Sequence, residues 1–583
     1  MRVPYLILRR WNSSLKPGSK IAGSEIPEST NNFNEINSII KKFIHPKSSK
    51  SKTPVTLSND SLISLYNNWK LVDSEFLPLT NPTSISPYHF QSTYNSDLSY
   101  IKTPRLAVTK LLTDRWCELR EYYTLYAGSP PFQMTKAVEL GLGHHTDLEH
   151  QLHVDIDTTT LSQVWERIIN SRLELLKEDV NYSKYVDLAY GNVGEGAFAA
   201  SLSNQAIGRM FSLLTTSQAR EVLVHGYLNL KEQHFINTTS ELLSVETRPG
   251  MAEESKVLVS GIVDHFQIAN RQDPRDLTMF QEVNDYMEYE FTEDVNGVRL
   301  VDLTQLFEDI PEIIHEHAQN YSIRTSDVKT RSFNRAPHQP SILNAAKYQT
   351  FYYKRMLELL AQPTSEENVC FGYHSLLENA KTRGLDIDKP ISLTFLVLIL
   401  RKHHNLLYHD FTKLAQGQPI GFELFDEYAT NTEFEDYDVQ SLIRSQEIDQ
   451  MCNEDDFDYH KLLTPELLTS WKVPPTIRYF AARSYQFYTL FADFVGDQTR
   501  VEYHNGKTGV LFHSNNYQYD SNEMNLQISL ASKFWNGDRQ PNYTTDISKC
   551  KNCTFSTKCL IPNEGLDDSK IVGRKVHEFL HSK

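Results

Sequence analysis

At 583 residues, with 40% hydrophobic and 23% charged content, the chain is long enough for a sizeable core and is neither collagen-like nor disordered in bulk. A formal net charge of −16 excludes a protein that holds nucleic acid through overall charge, though not one with a local basic channel. Six cysteines without dense, regular spacing exclude a secreted disulfide scaffold and point to a reducing compartment.

Residues 1–24 carry Arg2, Arg9, Arg10, Lys16 and Lys20, no acid before Glu25, and an interleaved Val3, Leu6, Ile7, Leu8 and Trp11. This Arg-rich, acid-free pattern reads as a mitochondrial targeting segment. Residues 25–100 begin rich in Ser, Asn, Pro and Lys and read as a flexible lead. From Pro104, Leu106, Leu111, Leu112, Trp116, Leu119 and Tyr123 are spaced for one helical apolar face, and a second helix is expected over Met134 to Val154.

Glu221 to Leu230 and Lys256 to Ile268, rich in Val, Ile and Leu, read as strands, and the alternating run Tyr321 to Arg331 as a third. Ser341 to Leu360 reads as a helix, and Val501 to Phe512 as a hairpin turning at Asn505-Gly506. The longest apolar run, Ile391 to Leu400, is about half the ~20 residues needed to span a bilayer, so it is expected as a buried helix and no membrane span is expected. Between Gly421 and His460, Asp and Glu dominate with Arg444 the single Arg or Lys, which reads as a solvated acidic stretch.

The order of these elements implies an α/β fold with a mixed central sheet flanked by helices. A single elaborated core is expected: 101–362 as its first part, 363–471 as a helical, partly acidic insertion, and 472–583 as the remainder with a cysteine-rich tail.

Asp327-Val328-Lys329 carries the most chemistry. On a strand, Asp327 and Lys329 share one face, so a carboxylate that holds a hard cation lies beside an ammonium that offsets charge on a phosphate. Glu254-Ser255-Lys256 and Asp568-Ser569-Lys570 have the same spacing, so what accompanies the triplet decides its meaning.

Asp264 lies in an apolar strand and supplies a second hard oxygen donor, a pair suited to Mg²⁺ or Mn²⁺. Gln349 and Tyr353 are four apart and share a helix face. His145 and Glu149 are likewise four apart, with His144 a competing imidazole. Cys550, Cys553 and Cys559 form a C-x₂-C-x₅-C tail, which by itself reads as a zinc site with His577 as fourth ligand. Gly506-Lys507-Thr508 is no phosphate-binding loop, because Val501 stands where its first glycine is needed.

The series Gly-x-x-x-His-x-x-Leu-Glu, Gly-x-Val-Asp, Asp-x-Lys-Thr-Arg and Gln-x-x-x-Tyr resembles the RecB-like branch of the PD-(D/E)XK nucleases. The resemblance implies that His145, Asp264 and Asp327 bind the divalent metal, that Lys329 serves catalysis beside the two acids, and that Gln349 and Tyr353 support substrate binding. Glu149 matches a motif position without an assigned role.

The 63-position interval from Asp264 to Asp327 (327 − 264) departs from the pattern and implies an insertion around Asn284 to Asn320. Glu282 is the alternative second acid, but Asn284 stands where its lysine should be. RecB-like nucleases with an iron-sulfur cluster place one cysteine before the core and three after it. Cys117 with Cys550, Cys553 and Cys559 fits that placement and implies a [4Fe-4S] cluster.

The full set, presequence included, resembles the mitochondrial exonuclease V family. The implied activity is Mg²⁺-dependent exonucleolytic cleavage of single-stranded DNA in genome maintenance in the mitochondrial matrix. The rival readings are a catalytically silent nucleic-acid-binding protein with a nuclease-like fold, and a zinc-stabilised structural protein.

Overall fold

Among the described residues, seven strands form one sheet: β1 Arg105–Ala107, β2 Gln218–Asn229, β3 His234–Phe235, β4 Lys256–Asn270, β5 Tyr321–Arg331, β6 Val495–Asn505 and β7 Leu511–Gln518. The computed structural model describes residues 86–94, 105–126, 135–153, 158–244, 256–294, 297–434 except 367, 437, 439–442, 471–544 and 547–561 except 560. The expected targeting segment 1–24 lies outside the described residues. Within the expected lead, Pro87–Tyr94 is helical and buries Tyr88 and Phe90, so that part is folded.

The strand order is β3-β2-β4-β5-β6-β7, with β1 beside β4. The β1/β4 and β5/β6 pairs are parallel and the others antiparallel, which makes the sheet mixed, as expected. Helix α5 (Pro340–Leu360) packs on β2, β5 and β6. Helix α2 (Lys136–Leu152) packs on β2 and β5, and its Leu140 and Gly141 lie beside Thr330. Thr330 and Lys329 point to opposite faces of β5, so helices cover both sides of the site strand.

The expected first helix is three elements: β1, a 3₁₀ segment Val108–Arg115 and α1 (Glu118–Tyr126). Leu106 is buried opposite Val259, filling the half of the β4 edge that β5 does not reach. A short strand followed by 3₁₀ turns mimics the apolar spacing of one helix. The interval between β4 and β5 holds α3 (Thr278–Glu290) and α4 (Leu303–His317), a helical insertion that leaves the two strands adjacent.

The segment 363–471 supplies α6 (Phe371–Thr382), α7 (Leu393–Gln416) and the helix Glu423–Asn431, followed by α8 (Ile477–Thr489) of the remaining core. The run Ile391 to Leu400 enters α7 with Leu396, Val397, Ile399 and Leu400 buried. Among the described residues, no helix is long and apolar enough to cross a membrane.

Asp410 of α7 ties this segment to the core. Its carboxylate accepts from Arg483 Nη2 and Nε at 2.5 and 2.6 Å and from Tyr479 Oη at 2.7 Å, and both side chains of the ion pair are wholly buried. Asp410→Ala leaves the Arg483 guanidinium buried without its counter-charge and is expected to cost about 3–5 kcal/mol. Urea unfolding measures this, and a loss below about 1 kcal/mol would contradict the tie.

Candidate active site

The site opens where β4 and β5 part. Their ladder runs as far as His265 opposite Ser326, and the next positions outward are Asp264 and Asp327. There the Val328 N–H donates instead to Asp264 Oδ2 at 2.6 Å, so one acid is fixed by the backbone of the strand that carries the other. Gly261 admits this packing, since a Cβ there would stand 2.5 Å from Tyr353 Cε1.

On β5, Lys329 Nζ donates to Asp327 Oδ1 at 3.0 Å and to Gln349 Oε1 at 3.1 Å. Asp327 is fully buried, and its Oδ2, 2.8 Å from Nζ, has no aligned donor. Gln349 Nε2 in turn donates to Tyr353 Oη at 2.8 Å. The one-turn spacing in α5 thus yields a chain Asp327–Lys329–Gln349–Tyr353 that holds the ammonium in place.

From α2, His145 Nδ1 lies 3.8 Å from Asp264 Oδ1 and 3.6 Å from Glu221 Oε1. Ligand atoms of His145, Glu221 and Asp264 all fall within 4.8 Å of one another, a spacing that one cation can bridge. Asp327 stands outside that group. His144 points elsewhere, with its ring 5.0 Å from that of His504. Glu149 accepts from Arg209 Nη2 at 2.7 Å. Glu282 sits on α3, half exposed, and accepts from His317 Nε2 at 2.7 Å, so the structure does not bring it to the site.

Sequence reasoning missed Glu221. In β2 it has φ +56° and drops out of the ladder between Arg220, opposite His265, and Val222, opposite Val263. This left-handed conformation on a non-glycine residue is backbone strain of the kind that collects at functional sites. It turns the carboxylate toward Asp264. Only the strand pairing reveals it, because in sequence Glu221 is an ordinary charge at the head of an apolar run.

The electrostatics are those of crowded carboxylates. Burial, reinforced by Asp264, holds the Asp327 carboxyl up at about 7 despite Lys329. Burial likewise raises Asp264. For His145 burial acts downward, but Glu221 and Asp264 overcome it and raise the imidazolium to about 9. Burial also acts downward on Lys329, yet Asp327 and Asp264 raise it, so it remains an ammonium at neutral pH.

A second cluster lies at the far ends of the chain. Cys117, at the head of α1, lines one pocket with Cys550, Cys553 and Cys559. Burial and the neighbouring cysteines push the Cys559 thiol up to about 11. Beside the pocket, Arg539 Nη1 and Nη2 donate to the buried Glu118 carboxylate, each at 2.6 Å. Among the described residues no three of the four sulfurs lie within 4.8 Å of one another. His577 lies outside the described residues.

Residues 98–560 match the model of a family described as exonuclease V, a 5′ deoxyribonuclease. The chain belongs to the exonuclease V family. It is 46% identical to the mitochondrial exonuclease V of Scheffersomyces stipitis over 94% of this chain and 99% of that one. Identity is 40% to that of Candida albicans, over 90% and 82%, and 39% to that of Debaryomyces hansenii, over 90% and 86%. The exonuclease V match takes in every residue of both clusters and leaves 1–97 outside.

The shifted groups give this exonuclease V a signed pH dependence. Asp327 moves from 3.8 to about 7 and His145 from 6.5 to about 9. Both folded values are raised, so each contribution to stability is complete below the ordinary value and is lost as pH rises through the folded one. The cation-free protein is therefore expected to lose stability from these groups between about pH 4 and about pH 9. A bound cation must displace these protons, so Mg²⁺ should raise the melting temperature more at about pH 8.5 than at about pH 6. Equal Mg²⁺ shifts at the two pH values would contradict the assignment.

Proposed function

We propose that the chain is a divalent-cation-dependent exonuclease that cleaves single-stranded DNA in the mitochondrial matrix, built on a RecB-like PD-(D/E)XK core. The observation that carries this reading is the convergence of Asp264, Asp327, Lys329, Gln349 and His145 from two strands and two helices onto one parted sheet edge. Family membership supports the exonuclease activity. The relatives' names and the basic, acid-free first 24 residues support the mitochondrial assignment.

Two carboxylates and an imidazole within one cation's reach, next to a buried carboxylate oxygen that lacks an aligned donor, fit Mg²⁺ or Mn²⁺. His145, Glu221 and Asp264 would hold the ion, with Asp327 completing the acid set. When bound, the ion supplies Lewis-acid polarisation of the scissile phosphate and of the attacking water. Lys329, kept charged by Asp327, offsets the negative charge that grows on the phosphate oxygens and donates a hydrogen bond there. Gln349 fixes that ammonium, and Tyr353 fixes Gln349. A purely binding protein needs no ammonium clamped between an acid and an amide, which favours the enzyme over the silent reading.

Cys117, Cys550, Cys553 and Cys559 would hold a [4Fe-4S] cluster, whose role in this fold is to clasp the two ends of the core. Four cysteines around one pocket match the four thiolates that such a cluster takes.

Labelled single-stranded DNA with Mg²⁺ should be degraded by the wild type, with a loss of at least about 100-fold in Asp327→Ala and Lys329→Ala, given the charge each contributes. Equal rates in all three would remove the assignment. For the clasp, anaerobically purified protein is expected to be coloured and to contain iron, and Cys559→Ser to lose colour, cooperative unfolding and activity together. A colourless wild type with stoichiometric zinc, or a Cys559→Ser protein that folds stably, would refute it.

A further inference from the structure

One cavity adjoins the site and shares Lys329 and Gln349 with it. It measures about 310 Å³ and lies beside Lys329 and Gln349, between the first turns of α5, the 3₁₀ segment and β6. Its aromatic lining is the half-buried Trp116 and the buried Tyr503, and its cations are Arg115, Lys329 and Arg331. None of its lining residues is Asp or Glu, in a chain whose net charge is −16.

The space has a cause in the sequence of α5. Tyr353 and Gln349 occupy one face of that helix, and one and two turns earlier the same face carries only Ala345 and Ser341. The missing bulk leaves the opening.

The walls are held in place. Arg115 reaches Gln527, its Nε lies 3.2 Å from Asp114 Oδ2, and its guanidinium covers the Tyr348 ring at 4.4 Å. Arg120 covers the Trp116 indole at 4.5 Å.

We propose that this cavity is a nucleobase subsite, which takes one unpaired base of the nucleotide next to the scissile phosphate. The proposal rests on the nuclease reading above and deepens it. The Trp116 indole stacks on any base, and the surrounding cations meet its phosphates. A volume near the lower end of the roughly 300–1,000 Å³ found for ligand pockets suits a single nucleotide. A base enters only after leaving its stack and its partner, so the subsite selects single strands by the cost of unpairing. Small residues at Ser341 and Ala345 are then specificity determinants, although neither touches the reacting atoms.

The test uses the full chain with Mg²⁺ and labelled single-stranded oligonucleotides, each with one abasic nucleotide at a different distance from the first cut. Loss of the base at one position beside the cut is expected to raise KM about tenfold with kcat within about twofold, the scale of one stacked base. Ala345→Leu, which fills the cavity, should raise KM on intact DNA by about the same factor and abolish the position effect. Ser341→Leu fills it from one turn earlier and serves if thermal melting shows Ala345→Leu unfolded.

A wild type that cuts DNA with the same KM at every abasic position overturns the subsite and leaves the nuclease reading standing. So does a folded, filled variant with unchanged KM. A wild type that does not cut single-stranded DNA overturns both.

Discussion

The site depends on one hydrogen bond, from the Val328 N–H to the Asp264 carboxylate. Continued by one step, the β4/β5 ladder would pair Asp264 with Asp327 and spend the Val328 region on sheet bonding. The strands part there, and the donor left over is satisfied by a side chain, which meets the requirement that buried N–H groups be paired. β5 carries on with β6 alone, its Lys329 opposite Tyr503. The same parting exposes the β4 edge to β1 on one side of Asp264, while Glu221, unpaired in the ladder, faces it from β2 on the other. Acids, lysine and imidazole gather at that gap because regular pairing ends there.

Such a gathering is unstable unless charge is matched. Asp327, Asp264 and Glu221 face Lys329 and His145, with Arg220 also acting on Asp264 and Glu221, and Asp327 retains its proton to about 7. The imidazolium of His145 stands between two of the carboxylates as a provisional positive charge. The neighbouring cavity has the opposite balance, with three basic residues and no acid in its lining. An acidic chain can act on a polyanion because its basic groups are concentrated where a phosphate would lie.

Much of this was legible in the sequence. β5 matched its expected bounds, its first four residues alternating between buried and half-buried, and the one-turn pairing of Gln349 with Tyr353 became a direct hydrogen bond because α5 is continuous there. Asp264 stood out as a carboxylate within an apolar run. What escaped detection depended on pairing: Glu221 gains meaning only opposite Asp264, and β1 exists as a strand only because half of the β4 edge is open. Neither pattern is periodic, so neither has a signature in a single segment. The small residues Ser341 and Ala345 likewise matter only through the space they leave.

The register of β5 with β6 also orders events in time. Tyr503 is 174 positions beyond Lys329 (503 − 329), and the last cysteine of the clasp comes later still. As the chain emerges from its N-terminus, β4 and β5 can pair while the outer edge of β5 stays bare for the whole synthesis of α5 through α8. A long unpaired edge beside strands already formed invites pairing with another chain, and contacts of this sequence separation close slowly. During that interval the bare edge of β5 is a place where a chaperone's cover would prevent mispairing.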